Sequence, residues 1–208
     1  MTDNIRGILL KVTAVSIFTV MMALIKATAA EVPTGQQVFF RAFFTLLVVM
    51  GWLMARGDFP SALRTSNIFG HMWRGIAGAA SMSLRFFALG ILTFPEVAAL
   101  GFTTPLILTV LAALILGETV RAFRMITVAL GFVGVLIVLW PTFDGNADRS
   151  TLELIGVGAI MGSAALAALA QIFVRRLVAT EGTAQIVFYF SLLITLLSFL
   201  SLPIGWVI

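Results

Sequence analysis

No cysteine occurs among the 208 residues, and His71 is the single histidine. The first absence removes disulfides, thiolate nucleophiles and cysteine-based metal sites. The second leaves no HExxH zinc motif, and no phosphate-binding glycine loop appears either. Ser81 lies inside an apolar stretch with no histidine at its depth, so a hydrolytic nucleophile would lack its base. We therefore expect no enzyme, no metal and no cofactor. Charge is scarce too: 11% of residues are charged and 61% hydrophobic, with a mean hydropathy of +1.12. A soluble domain of this length needs far more charge to cover its surface.

What is present is a series of apolar stretches of about 18 or more residues, the length that crosses a hydrocarbon core of about 30 Å. Seven spans are expected, making an all-α polytopic membrane protein. They cover Ile5 to Ala30, Gln37 to Ala55, Met72 to Leu92, Pro95 to Gly117, Phe123 to Trp140, Leu152 to Phe173 and Ile186 to Val207. The first carries Lys26 near its end and reads as a retained helix rather than a leader. Pro95 suits the first turn of the fourth span. Pro105, in its middle, lacks a donor for the carbonyl of Gly101, so a kink is expected, with Thr103 and Thr104 re-satisfying the freed backbone or facing a cavity. Small-residue faces for close packing are expected at Gly131 and Gly134 and at Gly158 and Gly162.

Arginine distribution sets the expected orientation. With the N-terminus cytoplasmic, the inner side holds Arg6, Arg56, Arg64, Arg74, Arg121, Arg124, Arg175 and Arg176, and the outer loops hold Arg149 beside Asp144 and Asp148. That bias follows the positive-inside rule. It also accounts for the net charge of +4 without a nucleic-acid partner. Glu118, beside Gly117, is expected to cap the fifth span or pair with Arg121 or Arg124.

The cations within the spans are the candidates for function. A lipid-facing arginine at mid-depth costs about 2.5–3.5 kcal/mol even on insertion scales. Lys26 is about 6 Å from its helix end and can snorkel; Arg85, about 10 Å from its own, strains that reach. Arg41 and Arg85 are thus expected to face the interior, near Glu96 or an anionic ligand group, with Glu31 in the adjoining loop. Gln37, Arg41 and Thr45 form one polar stripe, and Arg74, Gly78, Ser81 and Arg85 another. The stripes should face each other or a watery cavity. With Thr104, Gln171 and Tyr189, the candidate solute-binding set is Lys26, Gln37, Arg41, Ser81, Arg85, Glu96, Thr104, Gln171 and Tyr189. A cationic cluster of this kind favours a carboxylate- or phosphate-bearing solute.

A repeat crosses the longest polar loop. Lys26 with "TGQQVFFRAFF" is similar to Arg175 with "GTAQIVFYFSL", placing Gln37 against Gln185 and Arg41 against Tyr189. Five helices separate their starts, and an odd number inverts the topology. From Arg74 to Pro141 the chain carries "FFAL", "PEVAAL", "TTPL", "LGE" and "GFVGVLIV", with "FFR" in the second span. These motifs resemble the EamA-type repeat of the drug/metabolite transporter superfamily. The resemblance implies two inverted five-helix repeats and alternating-access movement of a small metabolite in a bacterial inner membrane. Arg85 departs from it, since an aromatic residue is commoner there. Residues 5–141 would form the first repeat, 142–151 a periplasmic linker, and 152–208 two helices of the second. On this reading an intact form continues by roughly 80 to 100 residues into three more helices. The alternative is a non-transporting membrane subunit that needs a partner chain. The expected partners are a small solute and the lipid bilayer, with a homodimer possible.

Overall fold

The structure, a computed structural model, describes residues 3–57, 59–117, 122–143, 150–204 and 206–207. It is all helical there. In chain order the elements are α1 (Asp3–Thr28), α2 (Thr34–Ala55), the single turn α3 (Phe59–Ala62), α4 (Ile68–Ile91), α5 (Phe94–Gly101), α6 (Thr103–Leu116), α7 (Ala122–Phe143), α8 (Thr151–Leu177) and α9 (Thr183–Ser198), which tightens into a 3₁₀ helix, Phe199–Ile204. Five segments are long and apolar enough to cross a membrane: α1, α2, α5 with α6, α8, and α9 with its 3₁₀ extension. The other two expected spans are α4, 24 residues long but interrupted by His71, Arg74 and Arg85, and α7, 22 residues long. The chain is a polytopic membrane protein.

Each boundary has a local cause. Asn67 caps α4 by accepting from the Gly70 amide at 2.9 Å. Thr93, Pro95 and Glu96 open α5 with a capping box, and Gly117 closes α6 in the left-handed region at φ 66°. The expected kink falls at Phe102, where α5 stops and α6 begins. Pro105 has no N–H to offer Gly101, and the Phe102 amide turns back to Ala99 instead. The threonines take other roles than the expected ones. Thr103 is fully buried against Met161 of α8, and Thr109, not Thr103 or Thr104, bonds the Pro105 carbonyl. The last span departs from a continuous helix, because Pro203 cannot donate and the Ser198 and Ser201 hydroxyls bond carbonyls three residues back. Its end is pinned by Gln36, whose amide exchanges two hydrogen bonds with the backbone of Val207.

The core is the contact of α4 with α8. Ala77, Ala79 and Ser81 on α4 and Gly156, Ala159, Ser163 and Ala164 on α8 are all buried. Ser81 and Ser163 exchange hydroxyl-to-carbonyl bonds of 2.8 Å in both directions. Small side chains let two backbones approach closely enough for such bonds, which is how helices associate where lipid provides no hydrophobic drive. The face of α8 that does this is not the one expected. Gly158 meets open space and Gly162 makes only ordinary contact with Leu84, whereas a Cβ on Gly156 would press on Leu92 and Ile91 at 3.0–3.2 Å. On α7, a Cβ on Gly131 would press on Leu106, and one on Gly134 would meet nothing among the described residues.

The contacts also fix direction. α1 ends beside Gln37 and Leu92, while α8 has its first turns beside Leu92 and leads away to the loop that packs on residues 65–66. α2 begins where the 3₁₀ helix ends. So α8 and α9 run opposite to α1 and α2.

The packing predicts a contrast within α8. Gly156→Leu must push Leu92 aside and should destabilise by about 1–3 kcal/mol, the usual cost of overpacking. Gly158→Leu, facing open space, should leave the unfolding midpoint unchanged or raise it, because glycine is a poor helix former. Denaturant titration of both variants in mixed micelles measures the difference. Equal midpoints would mean that α8 packs on another face.

Candidate functional site

Four of the nine candidates come together. Arg41 of α2, Ser81 and Arg85 of α4, and Gln171 of α8 line one cavity of about 420 Å³, and with them lies Arg74 of α4. The α4 stripe of Arg74, Gly78, Ser81 and Arg85 forms one wall, since residues at these spacings share a helix face. The opposite walls are apolar: Phe18 and Met22 of α1, Ala167 and Ala170 of α8, Phe190 of α9. No aspartate or glutamate lines the cavity among the described residues.

The three guanidinium groups are held differently. Arg41 points its Nη1 at the Met82 sulfur and lies 6.0 Å from the centre of the Phe86 ring. Arg85 lies close enough to repel it, and reaches along α5 toward Gly101. Arg74 lies 3.6 Å over the ring of Phe190, a close cation–π contact. Its Nε and Nη1 are buried and have no hydrogen-bond partner among the described residues. Phe190 can press so near because Gly78 lies beneath it; a Cβ there would sit 2.5 Å from the ring. Guanidinium stays charged in proteins, so these cations cannot escape burial by losing a proton. A second cavity, about 230 Å³, joins Arg41 and Arg74 through Thr45, Ser191 and Ile194.

The other candidates lie elsewhere, each satisfying backbone or packing. Lys26 neither snorkels nor reaches the cavity: its ammonium bonds the Leu92 carbonyl at 2.8 Å and so caps the end of α4. Glu96 places one carboxylate oxygen on the Thr93 amide and hydroxyl, as the helix-capping half of its box. Gln37 bonds the Ile25 carbonyl and the Thr28 hydroxyl and, with Arg41 and Thr45, lines a separate groove of about 510 Å³ against α1. The Thr104 hydroxyl is buried without a partner among the described residues, outside the cavities described. Tyr189 donates to the Leu63 carbonyl at 2.8 Å, at the opposite end of the bundle from Lys26. Its alignment with Arg41 therefore does not bring the two together. Glu118 and Arg121, like Asp144, Asp148 and Arg149, lie outside the described residues, as does the side chain of Arg124.

Two groups were not anticipated. Arg74, an inner-side arginine by charge distribution and outside the candidate set, lines the cavity through the stripe it shares with Arg85. Glu181, in the α8–α9 loop, carried no signal at all. It is buried, 8% exposed, and its Oε1 accepts from the Thr65 hydroxyl at 2.7 Å and from the Ser66 amide and hydroxyl at 2.9 and 3.0 Å. Its other oxygen lies 3.9 Å from Nε2 of His71, whose ring packs on Tyr189 with centroids 4.6 Å apart. This latch ties the loop before α4 to the loop before α9. Burial by itself would raise the Glu181 carboxyl's pKa, but the three hydrogen bonds, with His71 adding to them, outweigh it and hold the carboxyl below the ordinary glutamate value.

Comparison with known proteins fits this architecture. The profile of the EamA-like transporter family matches residues 5–140. The chain is 30% identical over 201 residues to the pseudopaline exporter of Pseudomonas aeruginosa, which covers 96% of this chain and 66% of that protein. It is 29% identical over 168 residues to the S-adenosylmethionine uptake transporter of Rickettsia prowazekii, covering 80% and 53%. It is likewise 29% identical over 168 residues to the riboflavin transporter of Brucella anthropi, covering 81% and 56%. The chain thus spans roughly half to two thirds of the length of these relatives.

The latch carries a pH prediction. A carboxylate whose pKa is lowered by folding stabilises the folded form above its unfolded pKa, and that contribution is lost as pH falls through the folded value. Amide exchange at Ser66, corrected for its intrinsic pH dependence, should therefore lose protection below the ordinary glutamate range. Glu181→Gln should show weaker protection with no such acid limb. Identical profiles for the two proteins would mean that the carboxylate does not hold the loop.

Proposed function

The chain belongs to the EamA-like transporter family, and from that premise we propose that it is a secondary carrier of a small metabolite. The observation that supports this most is the cavity. It lies between α2 and α4 on one side and α8 and α9 on the other, and it combines apolar walls with a few polar groups in the manner of a solute site. Cations inside a membrane bundle are costly, and where they persist they mark solute or ion pathways. The opposed directions of α1–α2 and α8–α9 suit inverted repeats, of which residues 5–141 are the first, 142–151 the linker and 152–208 part of the second. In such carriers one repeat rocks against the other around a site near the midplane. The Glu181 latch, joining the α3–α4 and α8–α9 loops, is placed to close one side of that site and to release when the repeats move.

Orientation follows from arginine placement. With Arg74 assigned to the cavity, Arg6, Arg56, Arg64, Arg175 and Arg176 still gather at the Glu181 side, which supports a cytoplasmic placement of that side and of the N-terminus. The membrane is the bacterial inner membrane, and the latch is the cytoplasmic gate. The relatives include an exporter and uptake transporters, and both directions fit the same alternating mechanism.

The absence of native cysteine makes this testable without background labelling. Ala170→Cys, on the cavity wall, should react with a membrane-impermeant thiol reagent from either face of oriented vesicles as the carrier cycles. Proteoliposomes incubated with a bacterial metabolite extract should accumulate a solute that protein-free liposomes do not, identified by mass spectrometry. Labelling from one face only, with no solute gained, would leave a static membrane protein.

A further inference from the structure

The carrier reading leaves the solute open, and the cavity's charge narrows it. We propose that the Arg41–Arg74–Arg85 cavity binds an extended solute bearing at least two anionic groups, carboxylate or phosphate; the proposal rests on the carrier reading for its setting.

Charge balance is the first reason. Three permanent cations line a cavity of about 420 Å³ with no acidic side chain in its wall among the described residues. Glu96, the acid on the adjacent helix start, is engaged in the Thr93 capping box. A neutral solute would leave all three charges uncompensated in a medium of low polarity, and a single anion would leave two. The second reason is vacancy of donors. Among the described residues Arg74 keeps two buried guanidinium nitrogens without acceptors, and Nη1 of Arg41 points at a thioether. Buried N–H groups in such numbers call for acceptors, and the planar fork of guanidinium matches carboxylate and phosphate oxygens.

Spacing sets the shape. Arg41 sits at the level of Met82 and Phe86, so it and Arg85 form one cationic pole, where their repulsion is relieved by an anion between them. Arg74 is eleven residues from Arg85 along α4, about 16 Å of helix axis. An elongated solute with a charge at each end can follow the cavity wall from Arg85 to Arg74, while Arg41 also shares the smaller cavity with Arg74. The wall between them carries Gly78, Ser81 and Met82 of α4 with Ala167, Ala170 and Gln171 of α8, which suits a largely apolar middle with a polar group or two.

The test uses the purified protein in phosphatidylcholine nanodiscs at low ionic strength, with acetate, succinate, azelate and nonanoate as probes, read by calorimetry. Azelate should bind at least tenfold more tightly than succinate or acetate. It should also exceed nonanoate, which has the same chain length and one carboxylate, by at least tenfold. Arg74→Gln should erase the azelate–nonanoate difference, Arg41→Gln and Arg85→Gln should weaken both long probes, and Arg176→Gln, an exposed arginine outside the cavity, should change nothing. Equal affinity of azelate and nonanoate in the wild type, or a wild-type profile in Arg74→Gln, would overturn the proposal. Thermal unfolding of each variant separates lost binding from lost folding. Adding phosphatidylglycerol to the nanodiscs separates a soluble anion from a lipid headgroup: retention of that lipid by wild type but not Arg74→Gln, without azelate binding, overturns the solute. Flux of labelled azelate or of any extract solute distinguishes this claim from the carrier reading. Transport of an uncharged solute with no azelate binding keeps the carrier and sinks the anion site; azelate binding without any flux does the reverse.

Discussion

The close approach of α4 and α8 is the contact on which the rest of this bundle depends. In lipid, apolar side chains gain little by meeting each other rather than acyl chains, so helices are held by packing and interhelical hydrogen bonds. Here alanine, glycine and serine faces bring the two backbones near enough for Ser81 and Ser163 to exchange bonds at 2.8 Å. Everything that lines the cavity is referred to this pair. Arg74 and Arg85 stand on the same α4, Gln171 and Ala170 on the same α8, and α2 and α9 close over the seam.

Against that seam, polar side chains divide into two kinds. Most of them repair the ends of helices. Lys26 caps α4, Glu96 caps α5, Gln36 holds the terminal backbone, and Glu181 collects the donors of Thr65 and Ser66. Such groups offset the cost of leaving backbone dipoles unpaired where water is scarce. The arginines of the cavity do not repair anything. They face an aromatic ring, a thioether and one another. A charge that stays inside a bundle without serving its backbone is the feature on which the proposed solute site rests, and it sets those residues apart from the scaffold.

Periodicity made part of this site legible. The stripe of Arg74, Gly78, Ser81 and Arg85 follows from 3.6 residues per turn, and the structure puts all four on one wall. Depth was also legible for Arg41 and Arg85, because side-chain reach and axial rise are fixed lengths. Pairing was not. Lys26, Arg41, Arg85 and Glu96 share a membrane level in the sequence reading, yet level says nothing about azimuth, and Lys26 and Glu96 turn to the backbone nearest to them. The same gap misplaced Tyr189, whose repeat-equivalent position lies at the other end of an inverted helix. It hid Glu181 too, a loop acid whose partners are 115 and 116 residues away.

The sequence by itself determined that this chain spans a membrane, where its helices run, that Pro105 breaks one of them, and that certain arginines cannot face lipid. Those are properties of single helices in an apolar solvent, set by transfer energies and by which residue can donate a hydrogen bond. Only the tertiary structure decided which small-residue face of α8 meets α4, that Arg74 belongs to the cavity rather than to the membrane surface, and that Glu181 latches two loops. Several faces of each helix are equally apolar, so the choice among them rests on how side chains interlock between helices, a quantity that no single helix contains.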